Sequence, residues 1–207
     1  MKRKGKKLKI AITGSIGSGK TLVSNYFIEK GYPVLNADLI SKEILQNNIQ
    51  IKNKITKTFG EQSYIQNVLN KKFLAEKVFA VEENVHKINS IVHPFVIEKI
   101  ESETNNLLKL HSIVFTEAAL IYEADMEDLF DYVILITSDE EIRLQRKIRI
   151  DNYTEEEFFK RNNNQIPDKE KKKRADFILE NNTTINELKN KADFTLKIIK
   201  GLTAVND

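Results

Sequence analysis

The sequence predicts an α/β fold, an open parallel sheet flanked by helices, and three observations predict it. Short apolar runs recur along the 207 residues, separated by stretches of helical periodicity. A glycine-rich loop, Gly14 to Thr21, follows the first run. A long helical stretch interrupts the alternation between the second and third runs.

Leu8 to Thr13 (LKIAIT) is a β-branched run of the kind that forms a buried strand. Gly14-Ser15-Ile16-Gly17-Ser18-Gly19-Lys20-Thr21 then matches the phosphate-binding pattern G-x-x-x-x-G-K-[ST]. Leu22 to Lys30 reads as a helix with Leu22, Val23, Tyr26 and Phe27 on one side. Strand, glycine loop and helix in that order predict a P-loop NTPase-type core. Glycines allow close backbone approach to phosphate, and the helix start offers free N–H groups and a positive dipole end. Lys20 is expected to reach the β- and γ-phosphates of a nucleoside triphosphate, and the Thr21 hydroxyl to ligate Mg²⁺.

Tyr32 to Ala37 predicts a second strand, placed beside the first, with Asp38 at its carboxyl end, where open α/β sheets bind ligands. Asp38 has two readings: a carboxylate that takes a proton from an attacking hydroxyl, or the N-cap of the helix Leu39 to Gln46. Ile49 to Leu110 is helical by period, with Pro94 interrupting it, and is the expected substrate-binding insertion. Ser112 to Thr116 and Tyr132 to Thr137 predict the third and fourth strands. Asp139 to Ile150 is a charged helix, and Thr154 to Asn163 opens on a capping-box pattern. Phe177 to Leu179 is the last strand, and Ile185 to Ile199 the terminal helix. The expected division is a core of about 8–48, 111–138 and 175–207, a helical subdomain at about 49–110, and a lid at about 139–174.

Composition narrows the chemistry. The chain has no cysteine, which excludes a disulfide framework and a thiolate nucleophile and fits a cytoplasmic protein. No stretch approaches the roughly 20 apolar residues that span a bilayer. The formal charge is +3, but six of the first nine residues are basic, and without them it becomes −3. That start is expected to be a disordered, solvated tail; its alternative is a polyanion-binding arm. The run Lys169 to Arg174 has two readings as well, a solvated helix face or a phosphate contact. Arg143, Arg146, Arg149 and Arg161 are spaced so that several share a helical face. They serve either the transferred phosphoryl group or salt bridges to Glu140, Glu141 and Glu155 to Glu157.

These segments together resemble the dephospho-CoA kinases, from Ile10 to about Ile199. Ile12 to Lys20 is close to that family's loop, and Asn36-Ala37-Asp38 is similar to its D-A-D element. His93-Pro94 matches an H-P pair, and Glu117 to Glu123 (EAALIYE) resembles D-x-P-L-L-F-E. Arg161 and Gln165 match R-x-x-x-Q, and Ala175 to Asn181 resembles A-D-F-V-I-x-N. The resemblance implies an ATP- and Mg²⁺-dependent enzyme that phosphorylates the ribose 3′-hydroxyl of dephospho-CoA. Its catalytic residues would be Asp38, Lys20 and Arg149; Gly14 to Thr21 and Asn181 would bind ATP; Thr21 would hold the metal. Asp38, His93, Arg161 and Gln165 would contact the acceptor, with a helix-terminating role before Pro94 as the other reading of His93. Glu117 would hold Mg²⁺ through water or orient substrate. The expected partner is a small molecule, with neither nucleic acid nor membrane, and the expected state a monomer. Three positions depart from the family: Asn36, Ala119, and Ile150 where an arginine is usual before Asp151. The alternative is another small-molecule or nucleoside monophosphate kinase of the same architecture.

Overall fold

A computed structural model describes residues 5–204. In chain order its elements are β1 (Leu8–Thr13), α1 (Lys20–Glu29), β2 (Val34–Asn36), α2 (Ala37–Asn47), α3 (Ile49–Phe59), β3 (Tyr64–Ile65), β4 (Val68–Leu69), α4 (Lys71–Phe79) and α5 (Glu82–Leu107). They continue with β5 (Ile113–Glu117), β6 (Tyr132–Thr137), α6 (Glu140–Asp151), α7 (Glu155–Asn162), α8 (Asp168–Lys171), β7 (Phe177–Glu180) and α9 (Ile185–Thr203). Two compact units emerge: the described residues up to Asn36 together with those from Glu103, and the stretch Ala37–Ser102.

The first unit is built on a five-stranded sheet, wholly parallel, in the order β2-β5-β1-β6-β7. Strands β1, β5 and β6 are buried along nearly their whole length, as apolar strands covered on both faces must be. Ile10, Ile12, Phe115, Ile134 and Ile136 form the core with Val23 and Phe27 of α1 and Leu188, Leu196 and Ile199 of α9. Each such side chain contributes roughly 1.5–3 kcal/mol by leaving water. Phe27 stacks on Phe115 at 4.4 Å between ring centroids, and Tyr32 meets Phe115 edge-on at 5.8 Å. The sheet order corrects one expectation. β2 does not adjoin β1, because β5 lies between them and pairs with both. The register sets Asn36 opposite Glu117 and Glu117 opposite Ile12, so Glu117, not Asp38, ends the strand next to the phosphate loop.

The second unit is mostly helical. Asn48 and Asn70 cap α3 and α4 by accepting from Ile51 N (3.1 Å) and Phe73 N (3.2 Å). Ile51, Ile55 and Phe59 form the buried stripe of α3, and Leu74 and Val78 that of α4. The helical period misses a hairpin: β3 and β4 pair antiparallel across Gln66 and Asn67, both at positive φ as a two-residue type I′ turn requires. The Tyr64 hydroxyl donates to Leu45 O at 2.7 Å, and burial raises its pKa to about 12. Pro94 does not interrupt its helix. It lies inside the continuous α5, where its missing N–H frees the Ser90 carbonyl from the helical ladder. His93 therefore does not end a helix, contrary to the helix-terminating reading.

The basic start is not wholly a loose tail. Lys9 belongs to β1, Lys6 N donates to Thr203 O (3.2 Å), and Lys7 Nζ donates to Leu108 O. Lys2, Arg3 and Lys4 lie outside the described residues.

Candidate active site

The site begins where β1 ends. Gly14 has φ 151°, and a Cβ there would lie 2.1 Å from the backbone oxygen of Ile136, so no larger residue fits beside β6. Gly19, at φ 101°, is the N-cap of α1, and a Cβ on it would come within 2.4 Å of Asn181 Nδ2. The glycines thus let the loop pack against its own protein as well as against phosphate. Lys20 opens α1, and its Nζ donates to Gly14 O (2.7 Å) and Ser15 O (3.3 Å), which holds the ammonium over the loop. Thr21 Oγ1 donates to Glu117 Oε1 at 2.8 Å. Glu117 is 7% exposed whereas Thr21 is exposed, so a buried carboxylate meets a solvent-facing hydroxyl beside the loop. Two hard oxygen donors at the start of a phosphate-binding helix fit Mg²⁺, which takes one or two protein oxygens and fills its shell with water and phosphate.

Asn181 follows β7 and is 3% exposed; its Nδ2 donates to Ser18 O at 2.8 Å, placing it against the loop. Arg146 Nη2 donates to Asn181 O (2.8 Å), and Nη1 to Ser138 Oγ (3.2 Å). Burial lowers the pKa of that guanidinium. Arg143 is the arginine most deeply involved in structure. It is 6% exposed and donates to Ser138 O (3.0 Å), Ile16 O (3.2 Å) and Asn162 Oδ1 (2.7 Å), with Glu140 at 3.9 Å. All but one of those partners are neutral oxygens, so it fastens α6 to the loop rather than serving mainly as a salt-bridge partner.

Arg149 is exposed and lines a groove of about 580 Å³ along α6 with Glu141, Ile142, Gln145, Arg146 and Ile150. Arg149 and Ile150 thus border the same groove despite the one-residue offset. Arg161 is also exposed; its guanidinium sits 5.1 Å from the Tyr153 ring centroid, with Lys147 Nζ 4.6 Å from the same ring. α7 carries the full capping box of Thr154 and Glu157. Gln165, expected at the acceptor, is engaged by the loop: Ile16 N donates to its Oε1 at 2.8 Å.

In the second unit, Asp38 lies in the first turn of α2, which starts at Ala37, so it is not the residue that caps that helix from outside. It is exposed, and among the described residues its carboxylate has no hydrogen-bond partner. His93 is half-buried in α5, and desolvation lowers its pKa, which favours the neutral imidazole.

The run Lys169 to Arg174 is exposed at every position except Lys171, so one residue of it departs from a solvated face. Lys171 is fully buried with Nζ 2.8 Å from Glu123 Oε1, Lys172 pairs with Glu180 at 2.9 Å, and Arg174 pairs with Glu127. The Lys171 ammonium finds no hydrogen bond of good geometry, so charge holds the pair. Lys171→Met should lower stability by about 3 kcal/mol, because it leaves Glu123 unpaired in a secluded place. A urea melt checks this; an unchanged midpoint would show that the pair contributes nothing.

Comparison with known proteins agrees with this geometry. A family model described as dephospho-CoA kinase matches residues 8–187. A dephospho-CoA kinase from Chlamydia caviae is 34% identical over 196 residues, covering 94% of this chain and 97% of that one. A Thermus thermophilus crystal structure superposes with a TM-score of 0.81 at 28% identity, covering 97% of this chain and all of that one. The dephospho-CoA kinase of Campylobacter jejuni gives 0.70 at 26% identity, over 94% and 96% of the two chains.

Proposed function

This chain belongs to the dephospho-CoA kinase family, and from that premise we propose that it transfers the γ-phosphate of ATP to the ribose 3′-hydroxyl of dephospho-CoA, giving coenzyme A and ADP. The observation that carries the reading is the phosphate loop with Lys20 over it and Thr21 bonded to Glu117. Loop N–H groups and the start of α1 receive the phosphates, and Lys20 exchanges its two carbonyl partners for β- and γ-oxygens. Thr21 and Glu117 would hold Mg²⁺, whose charge offsets that of the phosphates when it is bound. Asn181 steadies the loop from the β7 side at Ser18.

Asp38 takes the proton of the attacking hydroxyl. Asn36 leaves the family's D-A-D element with one carboxylate here, so the base function falls on Asp38 alone. The helical unit Ala37–Ser102, which contains most of the expected 49–110 stretch, holds the acceptor, with His93 as one contact. Residues 139–174 act as a lid whose Arg149 and Arg161 meet phosphate charge and help exclude water. No described helix is long and apolar enough to cross a membrane. The same reading has the protein work as a cytoplasmic monomer on small molecules, with no nucleic-acid or membrane partner.

The test is ADP release in a coupled assay with ATP, Mg²⁺ and dephospho-CoA, beside a control without acceptor. Acceptor-dependent release with coenzyme A as product is expected. ATP binding with turnover on a different hydroxyl or phosphate acceptor, and none on dephospho-CoA, would overturn the assignment.

A further inference from the structure

The phosphate loop is gripped at two residues that its motif leaves free, Ser15 and Ile16. Ser15 is 3% exposed, and its Oγ donates to Asp168 Oδ1 at 2.5 Å. Ile16 N donates to Gln165 Oε1 at 2.8 Å, and the other end of that amide, Nε2, reaches Ala119 O at 3.4 Å. One side chain therefore bridges the loop after β1 to the segment after β5. The stretch Ile166 to Lys171, which follows Gln165 and carries Asp168, is itself anchored at both ends by a single carboxylate. Glu123 Oε1 accepts from Ile166 N at 2.9 Å and lies 2.8 Å from the buried Lys171 Nζ.

We infer that Gln165 and Asp168 are positioning residues for the phosphate loop, acting on nucleotide affinity through Ile16 and Ser15 and not through the acceptor. This deepens the assignment of the loop to ATP and rests on it. The loop's donors can converge on phosphate only if its backbone is held before the nucleotide arrives, and ordering it on binding would cost affinity. Gln165 is suited to that work because a neutral amide satisfies a donor and an acceptor at once without adding charge beside a polyanion. Asp168 contributes a hydrogen-bond acceptor, which its neutral amide analogue would also supply.

The experiment is ADP binding by calorimetry, with acceptor KM measured at saturating ATP. Gln165→Ala should weaken ADP binding about fivefold, the worth of one partly buried hydrogen bond, and leave the KM for dephospho-CoA unchanged. Wild-type ADP affinity with a raised acceptor KM would overturn the inference and make Gln165 an acceptor contact. A second set covers the case in which that variant folds poorly. Asp168→Ala and Ser15→Ala should each weaken ADP binding, their double variant no further, and Asp168→Asn should restore it. Additive losses, or an Asp168→Asn variant as weak as Asp168→Ala, would overturn the role given to Asp168. Absence of ADP binding by the wild-type protein would instead overturn the loop assignment, and this inference with it.

Discussion

Lys20→Ala should lower turnover about 10³-fold while leaving the protein folded. A unit charge about 4 Å from a phosphate oxygen is worth about 4 kcal/mol at an effective dielectric near 20, which is that factor in rate. The structure explains why no neighbour substitutes for it. Arg143 already gives its donors to Ser138, Ile16 and Asn162, and Arg146 gives its own to Ser138 and Asn181. In the loop, Lys20 donates to the Gly14 and Ser15 carbonyls, which it can leave for phosphate at little cost. Lys20→Arg should recover only part of the loss, since a planar guanidinium is larger than an ammonium and fans its donors outward. The core of β1, β5, β6, α1 and α9 does not involve the Lys20 side chain, so the melting temperature should move by only a few degrees. Turnover near the wild-type level would refute the assignment of this loop to the γ-phosphate.

How much of this was legible before the structure depended on how local the cause was. The loop and its flanking elements could be read because a contiguous motif dictates backbone conformation there. β6 could be read to the residue because an apolar run bounded by polar residues leaves little choice. The β3–β4 hairpin could not, since two-residue strands carry no period and its turn is Gln66-Asn67 rather than a glycine pair. Pro94 is a poor marker of a helix end because proline weakens a helix without always ending it; enough of α5 is buried, at Val92, Val96 and Ile100, to carry the helix past one lost bond. The place of β2 differs from its expected position beside β1 because chain order does not record that the later β5 slips between them. The site divides in the same way. Lys20 and Thr21 follow from their motif. The grip of Gln165 on Ile16 and of Asp168 on Ser15 joins segments about 150 residues apart, and no local pattern marks it. Lys171 looked like part of a charge run, and only its distant partner Glu123 makes it an interior residue.

Asp38→Asn should reduce turnover about 10³-fold with ADP affinity intact, the loss expected for a general base held at the reacting hydroxyl. The substitution keeps shape and hydrogen-bonding capacity and removes only basicity and charge. Its structural cost is small on the evidence of its surroundings. Asp38 is exposed, no described residue hydrogen-bonds its carboxylate, and it is not the outside cap of α2. What remains is its favourable position as an acid in the first turn of a helix, worth about 0.3–1 kcal/mol. The helix itself is held by the buried Ala37 and Ile40, which the variant keeps. An unpartnered, exposed carboxylate has little structural reason for its place two residues beyond β2, and a proton acceptor needs to be free in this way. Two measurements separate the readings: ADP binding by calorimetry, and kcat at saturating ATP and dephospho-CoA. Intact binding with collapsed kcat assigns the proton to Asp38. A loss of binding, or a drop in stability well beyond 1 kcal/mol, would make Asp38 a structural residue and require another base. Asn36, two residues before it and already an amide, has no proton-accepting basicity to take over that work.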